Sequence, residues 1–433
     1  MICPLRDSDG RPRTLTSIEF DDFKQLVEIE EGYAVEYKSA WDDEVKKKIP
    51  KIVTSFANAN GGWLFVGINN NGTYAGVTRA RSDFDQTIAQ IVHSHVTPIP
   101  RFDTRYVVDP ESDGGVLVVE ILEGIEPPYV ADGCVYVRVA SSSDKFDSKA
   151  DSYALIDLHR KARSNREEIE NFCHRTAYFP PTWVSESGSE CRIPIIDIYL
   201  KHLHPGHRSS PPFKGIDEAE AIMLKELEEI GCPDYICHRA HDSLLFRSSK
   251  GNHLDDVGSI IELFFDGSCK ISIPLVLLQS DQREDAIERL QLLRPIRNVG
   301  LANVVDGLSS QYPIITFCTI VERYVAARER RLSDYAIRFE FENMQGAILV
   351  FQTDAYTDYV HSRGFPFFGT IDGSSPLVIP EYCLDSEQEM PLHLKAWTRF
   401  LDSFGLPGST LDSEKRKELM GILGANKFDE EDE

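Results

Sequence analysis

Between residues 49 and 68 the hydrophobic period changes once, across two glycines. That change restricts the chain to folds in which a helix hands over directly to a buried strand. Ile49, Ile52, Val53, Phe56 and Ala57 recur at the spacing of one helix face. Pro50 is tolerable because it falls in the first turn. Gly61-Gly62 ends the helix, and Trp63-Leu64-Phe65-Val66-Gly67-Ile68 then runs without a polar residue, the pattern of a buried strand. Just upstream, residues 34–38 alternate, with Val35 and Tyr37 on one face and Glu36 and Lys38 on the other. Downstream, Asn71-Gly72 predicts a type I′ hairpin. A second helix is expected over residues 84–95, with Phe84, Ile88, Ile91, Val92 and His95 on one stripe. Strands are expected at 116–122 and 135–139, the latter after an Asp132-Gly133 turn, and a helix over 153–163 closes the region. Residues 1–165 therefore read as a mixed-sheet α+β domain.

The rest is plainer. Polar, Pro- and Ser-rich stretches at 180–191 and 205–215 mark residues 166–215 as a linker, and residues 216–427 as a C-terminal α/β domain. Helices are expected over 217–230 and 392–404. Residues 337–341 and 347–352 are expected to pair as a hairpin around Met344-Gln345-Gly346. Residues 428–433 are an acidic tail. The chain of 433 residues carries a formal charge of −24, of which −7 falls on residues 1–165 and −17 on the remainder. A phosphate polymer is repelled by such a surface, so any nucleic-acid contact must be local and in the first domain. No apolar run reaches the roughly 18 residues of a membrane span, and the N-terminus lacks a signal-peptide core. Nine cysteines spread over this length do not form a disulfide framework. The expectation is a cytoplasmic protein.

Four segments in order carry a resemblance: Glu31-Gly32-Tyr33-Ala34-Val35-Glu36-Tyr37-Lys38, Ser55-Phe56-Ala57-Asn58-Ala59-Asn60-Gly61-Gly62, Phe65-Val66-Gly67-Ile68-Asn69-Asn70 and Tyr74-Ala75-Gly76-Val77. Pro127-Pro128-Tyr129 and Val135–Ser141 add a closing strand pair. Together they resemble the Schlafen-AlbA domain family over roughly residues 28–165. The resemblance implies a nucleic-acid-binding domain, in some members a metal-dependent endoribonuclease acting on transfer or ribosomal RNA. Such nucleases use two glutamates five positions apart and a later aspartate. Glu31 and Glu36 match the pair, whereas Asn69 or Asn70 stands where the aspartate belongs.

Phosphodiester hydrolysis needs clustered carboxylates to hold a hard cation. Glu31 and Glu36 would fall on opposite faces of a straight strand, and Gly32 permits a turn that brings them together. With Asn69 and Asn70 as amide ligands they form a candidate site for Mg²⁺ or Mn²⁺, and Glu120 is a candidate replacement for the third acid. Asparagines before a glycine are equally the ordinary chemistry of a tight turn. Lys38 is a candidate catalytic group and phosphate contact. Lys46, Lys47, Lys48, Lys51 and Arg138 are candidate backbone contacts, with a solvated helix face as the plain alternative for the lysine run. Cys173-His174, Cys191, Cys232 and Cys237-His238 are too irregularly spaced for a zinc site and read as reduced thiols. His93 and His95 read as helix-end residues.

Two functions compete. One is a divalent-metal endoribonuclease acting on structured RNA such as tRNA, by analogy in antiviral defence. The other is a module that binds RNA or DNA without turnover, its acidic C-terminal region contacting a protein partner. A homo-oligomer is compatible with both. The glutamate pair tilts the reading to the enzyme.

Overall fold

The computed structural model describes residues 2–78, 83–139, 147–174, 183–184, 190–204, 216–248, 258–278, 280–290, 302–328, 330–370, 373–374, 390–406 and 413–424. The chain forms two compact units. The first is built on Met1–Phe172, the second on Cys173–His202 with Phe213–Ile379 and Gln388–Glu433. Both are α+β. No helix of the described residues is long and apolar enough to cross a membrane.

In the first unit the elements run β1 (Val35–Lys38), α1 (Asp43–Lys46), α2 (Ile49–Asn58), β2 (Gly62–Val66), β3 (Val77–Thr78), α3 (Phe84–His95), β4 (Val96–Thr97), β5 (Phe102–Val108), β6 (Gly114–Ile121), β7 (Val130–Ala131), β8 (Cys134–Arg138), β9 (Asp147–Lys149) and α4 (Ser152–Phe172). Strand β2 lies parallel to β1 and antiparallel to β6, which also pairs with β5 and β3. All five residues of β2 are buried because each sheet face has its own core. Leu64 and Val66 pack with α2 and α3. Trp63 and Phe65 pack with Leu5, Leu15, Ile18, Phe23 and Leu26 of the N-terminal segment. That two-sided cover is why the strand reads as an unbroken apolar run.

The residues around the double glycine are set by packing. A Cβ on Gly62 would lie 2.1 Å from the Phe56 ring, and Gly61 sits at φ +75° with a Cβ position 2.6 Å from the Ile121 carbonyl. Buried Asn58 donates to the Tyr129 and Tyr136 carbonyls at 2.9 and 2.8 Å and accepts from the Tyr129 N–H at 2.7 Å. It ties α2 to the smaller sheet of β4, β7, β8 and β9.

In the second unit, two short strands, β10 (Trp183–Val184) and β11 (Glu190–Cys191), precede β12 (Ile195–His202) and α5 (Ile216–Glu229). Then come β13 (Tyr235–Arg239), β14 (Ser243–Ser248), β15 (Ile260–Phe264), β16 (Cys269–Pro274), α6 (Ser280–Leu290), β17 (Val304–Asp306), α7 (Gly307–Ala327), β18 (Tyr335–Glu342) and β19 (Ile348–Val350). The described elements end with α8 (Asp354–Arg363), β20 (Phe367–Phe368), β21 (Gly373–Ser374), α9 (Leu392–Ser403) and α10 (Ser413–Leu423). A seven-stranded sheet runs in the order β13-β14-β15-β16-β12-β18-β21. Each of its pairings is antiparallel, and among the described residues of the unit β17 and β19 pair parallel. Ile196, Ile198 and Leu200 face a core completed by α5, α7 and α9. On the other face Asp197 and Lys270 form an ion pair at 3.1 Å with no exposed side-chain area on either partner. Ser272 Oγ donates to the same carboxylate, and Lys270 Nζ lies 4.9 Å from the Tyr199 ring centre.

Several sequence expectations change. The stretch read as a linker, 166–215, contains the end of α4 and the whole of β12, which lies between β16 and β18 inside the large sheet. The helix expected over 153–163 runs on to Phe172. Asn71-Gly72 does not make a type I′ hairpin. That turn needs two successive positive φ angles, and here Gly72 alone has one, its N–H donating to the Asn69 carbonyl at 2.8 Å. Asp132 and Gly133, at φ 48° and 76°, do supply that pair between β7 and β8. The hairpin expected at 337–352 is absent: after Asn343 at φ 57° the chain leaves the large sheet, and β19 pairs with β17 and β20. Most of 180–191, all of 205–215 and the tail 428–433 lie outside the described residues.

Candidate nucleic-acid interface

The turn before β1 is closed by the Gly32 N–H donating to the Val35 carbonyl at 3.0 Å. It folds Glu31 back onto the strand, where its Oε1 accepts the Tyr37 N–H at 2.7 Å. Gly32 does not need a positive φ to do this. The two glutamates therefore meet, and what they meet at is an ammonium. Lys38 Nζ lies 2.6 Å from Glu36 Oε1 and 3.8 Å from Glu31 Oε1, and it also donates to the Tyr37 carbonyl at 2.7 Å.

The second oxygen of Glu36 belongs to Arg138, whose Nη1 donates to it at 2.9 Å and to Asp147 at 2.7 Å. Arg138 Nη2 donates to the Gly32 and Val35 carbonyls, and Nε to the Tyr33 carbonyl at 3.4 Å. Five N–H groups thus point at five acceptors, which is the whole capacity of a guanidinium. The Arg138 side chain has no exposed area and lies 4.2 Å over the Phe56 ring. Expected as a phosphate contact, Arg138 instead joins β1, α2, β8 and β9, and it has no surface to offer a strand. Asp147 also accepts from Ser55 Oγ at 2.7 Å and lies 3.8 Å from Lys51 Nζ.

Opposing effects set the carboxyl pKa values. Burial is the largest influence on Glu31 and raises it, against the Tyr37 N–H and Lys38, which lower it. Burial is also the largest single influence on Glu36, yet the attraction and hydrogen bonds of Lys38 and Arg138 together outweigh it and hold the pKa below the ordinary value. Glu36 is an anion neutralised by the protein itself.

This arrangement does not fit a dedicated Mg²⁺ or Mn²⁺ site. Both Glu36 oxygens are occupied by cationic side chains, and no group of three or more His, Cys, Asp or Glu among the described residues could hold a metal ion. The Asn69 side-chain NH2 donates to Thr73 Oγ1 at 3.0 Å within the turn, while Asn70 is exposed. Glu120 fails for a reason of register. It sits directly opposite Trp63, which is opposite Val35, so it lies on the sheet face away from Glu36.

Lys46 and Lys47 form spaced pairs with Asp43 at 3.5 Å and Glu44 at 3.3 Å, and Lys47 and Lys48 are exposed. His95 pairs with Asp132 at 2.8 Å beside the β7–β8 turn. Burial raises the thiol pKa values of Cys232 and Cys237, the behaviour of inert thiols. The Cys191 side chain lies outside the description. Residues that the sequence reading missed are Asp147 and Ser55, which complete the cluster. Asp147 could not be found by spacing because it reaches Arg138 across two paired strands.

A small mixed sheet flanked by helices, with a charged cluster at the end of β1, defines a domain class that sequence comparison identifies directly. The sequence model of the Schlafen, AlbA_2 family matches residues 31–147, so this part of the chain is a Schlafen-AlbA domain. The chain is also similar to a crystal structure of a Corynebacterium diphtheriae protein, at 16% identity and a TM-score of 0.22, over 45% of this chain and 33% of that one. The N-terminal domain of a RecG-related protein from Nitrosomonas europaea, solved by NMR, is similar at 22% identity and a TM-score of 0.21, over 29% of this chain and 91% of that one. The match spans about a third of the Corynebacterium protein. No curated protein matches the sequence.

Proposed function

We propose that the first unit is a nucleic-acid-binding module of the Schlafen-AlbA type that works without turnover, and that the cluster at Glu36 holds its strands in place. The observation that supports this most directly is the saturation of Glu36, with Lys38 on one oxygen and Arg138 on the other. Phosphate contact then falls to Lys46 on α1, Lys51 on α2, and Lys47 and Lys48 in the turn between them, and the acidic second unit is left to contact a protein partner. The alternative, a metal-dependent endoribonuclease cutting structured RNA such as tRNA in antiviral defence, has one point in its favour. Glu31 and Glu36 do converge on a single cation, the Lys38 ammonium.

The full chain, mixed with a labelled tRNA-like hairpin in chelator, is expected to bind with an affinity that falls steeply with salt. Added Mn²⁺ or Mg²⁺ is expected to yield no product. Metal-dependent cleavage that disappears in Glu36→Gln would overturn the binding-module reading. Absence of binding to both RNA and DNA at low salt would overturn the nucleic-acid reading itself.

A further inference from the structure

We infer that the edge formed by α1, α2, β8 and β9 is a track for an unpaired nucleic-acid strand, with Trp41 and Tyr136 as stacking platforms for bases and the lysines beside them as phosphate contacts. This rests on the nucleic-acid reading above and narrows its ligand to single strands. Two rings carry a lysine each: Lys46 Nζ lies 5.8 Å from the Trp41 ring centre, and Lys51 Nζ lies 5.5 Å from that of Tyr136. Lys149 stands directly opposite Tyr136 in the β8–β9 register, and so on the same face. Lys47 and Lys48 bridge the two pairs in sequence and are exposed.

Tyr37 and Trp63, deep in this unit, are hidden at 0% and 1% exposure. Trp41 and Tyr136 are partly exposed. Both are nonetheless held firmly. Trp41 meets Phe84 edge-on at 5.7 Å, and the Tyr136 carbonyl accepts from Asn58 at 2.8 Å. An anchored ring flanked by ammonium groups binds a base by its π-face and the neighbouring phosphates by charge. A duplex hides its base faces within the stack and cannot use such rings. Asp42 shares the stretch and accepts the Val45 N–H at 2.8 Å, while the pairs that Asp43 and Glu44 make with Lys46 and Lys47 are exposed, weak and exchangeable for phosphate. Asp147, near Lys51, is committed to Arg138 and Ser55.

The test is fluorescence anisotropy of the full chain with labelled oligouridylate, and with the same strand paired to oligoadenylate. Wild type is expected to prefer the single strand. Tyr136→Leu keeps apolar bulk and is expected to weaken single-strand binding roughly 5- to 100-fold, with Tyr136→Phe restoring it. Lys149→Ala is expected to lower the salt slope by roughly 0.7. Should Tyr136→Leu fail to fold, photo-crosslinking of bromouridine-substituted oligonucleotide to the unaltered chain decides. Adducts at Tyr136 or Trp41 support the track, and adducts confined elsewhere overturn it. A folded Tyr136→Leu that binds like wild type overturns the track while leaving the binding module intact. Loss of all nucleic-acid binding by wild type removes both.

Discussion

In the first unit the charged partners Glu36 and Lys38 keep 13% and 17% of their side chains in solvent; in the second, Asp197 and Lys270 keep none. Both pairs sit on strands whose alternate residues enter a core, yet they answer to different physics. A fully buried pair has given up all hydration and recovers it only through mutual attraction and hydrogen bonds. The buried pair has one cation per carboxylate together with the Ser272 hydroxyl. The partly exposed cluster shares three cations, Lys38, Arg138 and Lys51, among three carboxylates and joins four elements. The first arrangement suits a load borne inside one sheet. The second suits a rim, where geometry is fixed and charge is still felt outside.

That contrast can be broken by mutation. Asp197→Ala strands an ammonium with no exposed surface, and urea unfolding is expected to show a loss of about 3–5 kcal/mol. The double replacement Asp197→Leu with Lys270→Met is expected to recover most of it, and a single-variant loss under about 1 kcal/mol would show the pair to be dispensable. Arg138→Met in the first unit is expected to cost less, about 2–4 kcal/mol, because the abandoned Glu36 can draw on water that Lys270 cannot reach. A loss equal to that of Asp197→Ala would erase the distinction between the two clusters.

The smallest effect sharpens the comparison through pH. Glu36 has a folded pKa below its ordinary 4.5, so its contribution is full above that value and is lost as pH falls through the depressed one. Glu31 is shifted upward, favours its protonated form in the folded chain and loses stability as pH rises from 4.5. Glu36→Gln is therefore expected to be less stable than wild type at neutral pH, with the gap closing in acid. A gap independent of pH would mean that Glu36 acts through its shape alone.

Much of the first unit was legible because its strongest signals are steric. The helix before Gly61-Gly62 and the strand after it follow from the residues that pack there, and Asn58 and Gly62 turn out to be joints of the scaffold. The convergence of Glu31 and Glu36 was legible too. Its chemistry was not, because the cations that fill it come from one residue on the same strand and one on a distant strand. Spacing cannot report that Arg138, a hundred residues away, has all five N–H groups spent. Strand β12 was missed although Ile196, Ile198 and Leu200 alternate with Asp197, Tyr199 and Lys201. Pro- and Ser-rich neighbours on both sides drew attention from a clear period of two. The turn at Asn71-Gly72 failed because dipeptide chemistry does not fix loop length, which here is set by the bridge between Ile68 and Tyr74.

The cover that residues 3–26 provide for Trp63 and Phe65 has a practical consequence. The recognisable family segment begins at residue 31, beyond that cover. A fragment cut to the family boundary would leave a tryptophan, two phenylalanine-sized surfaces and a row of valines facing water, a patch of the kind that drives chains to associate. The unit that can be produced and handled is thus longer than the unit that can be recognised. Soluble expression is expected to require the N-terminal thirty residues, whatever the domain binds.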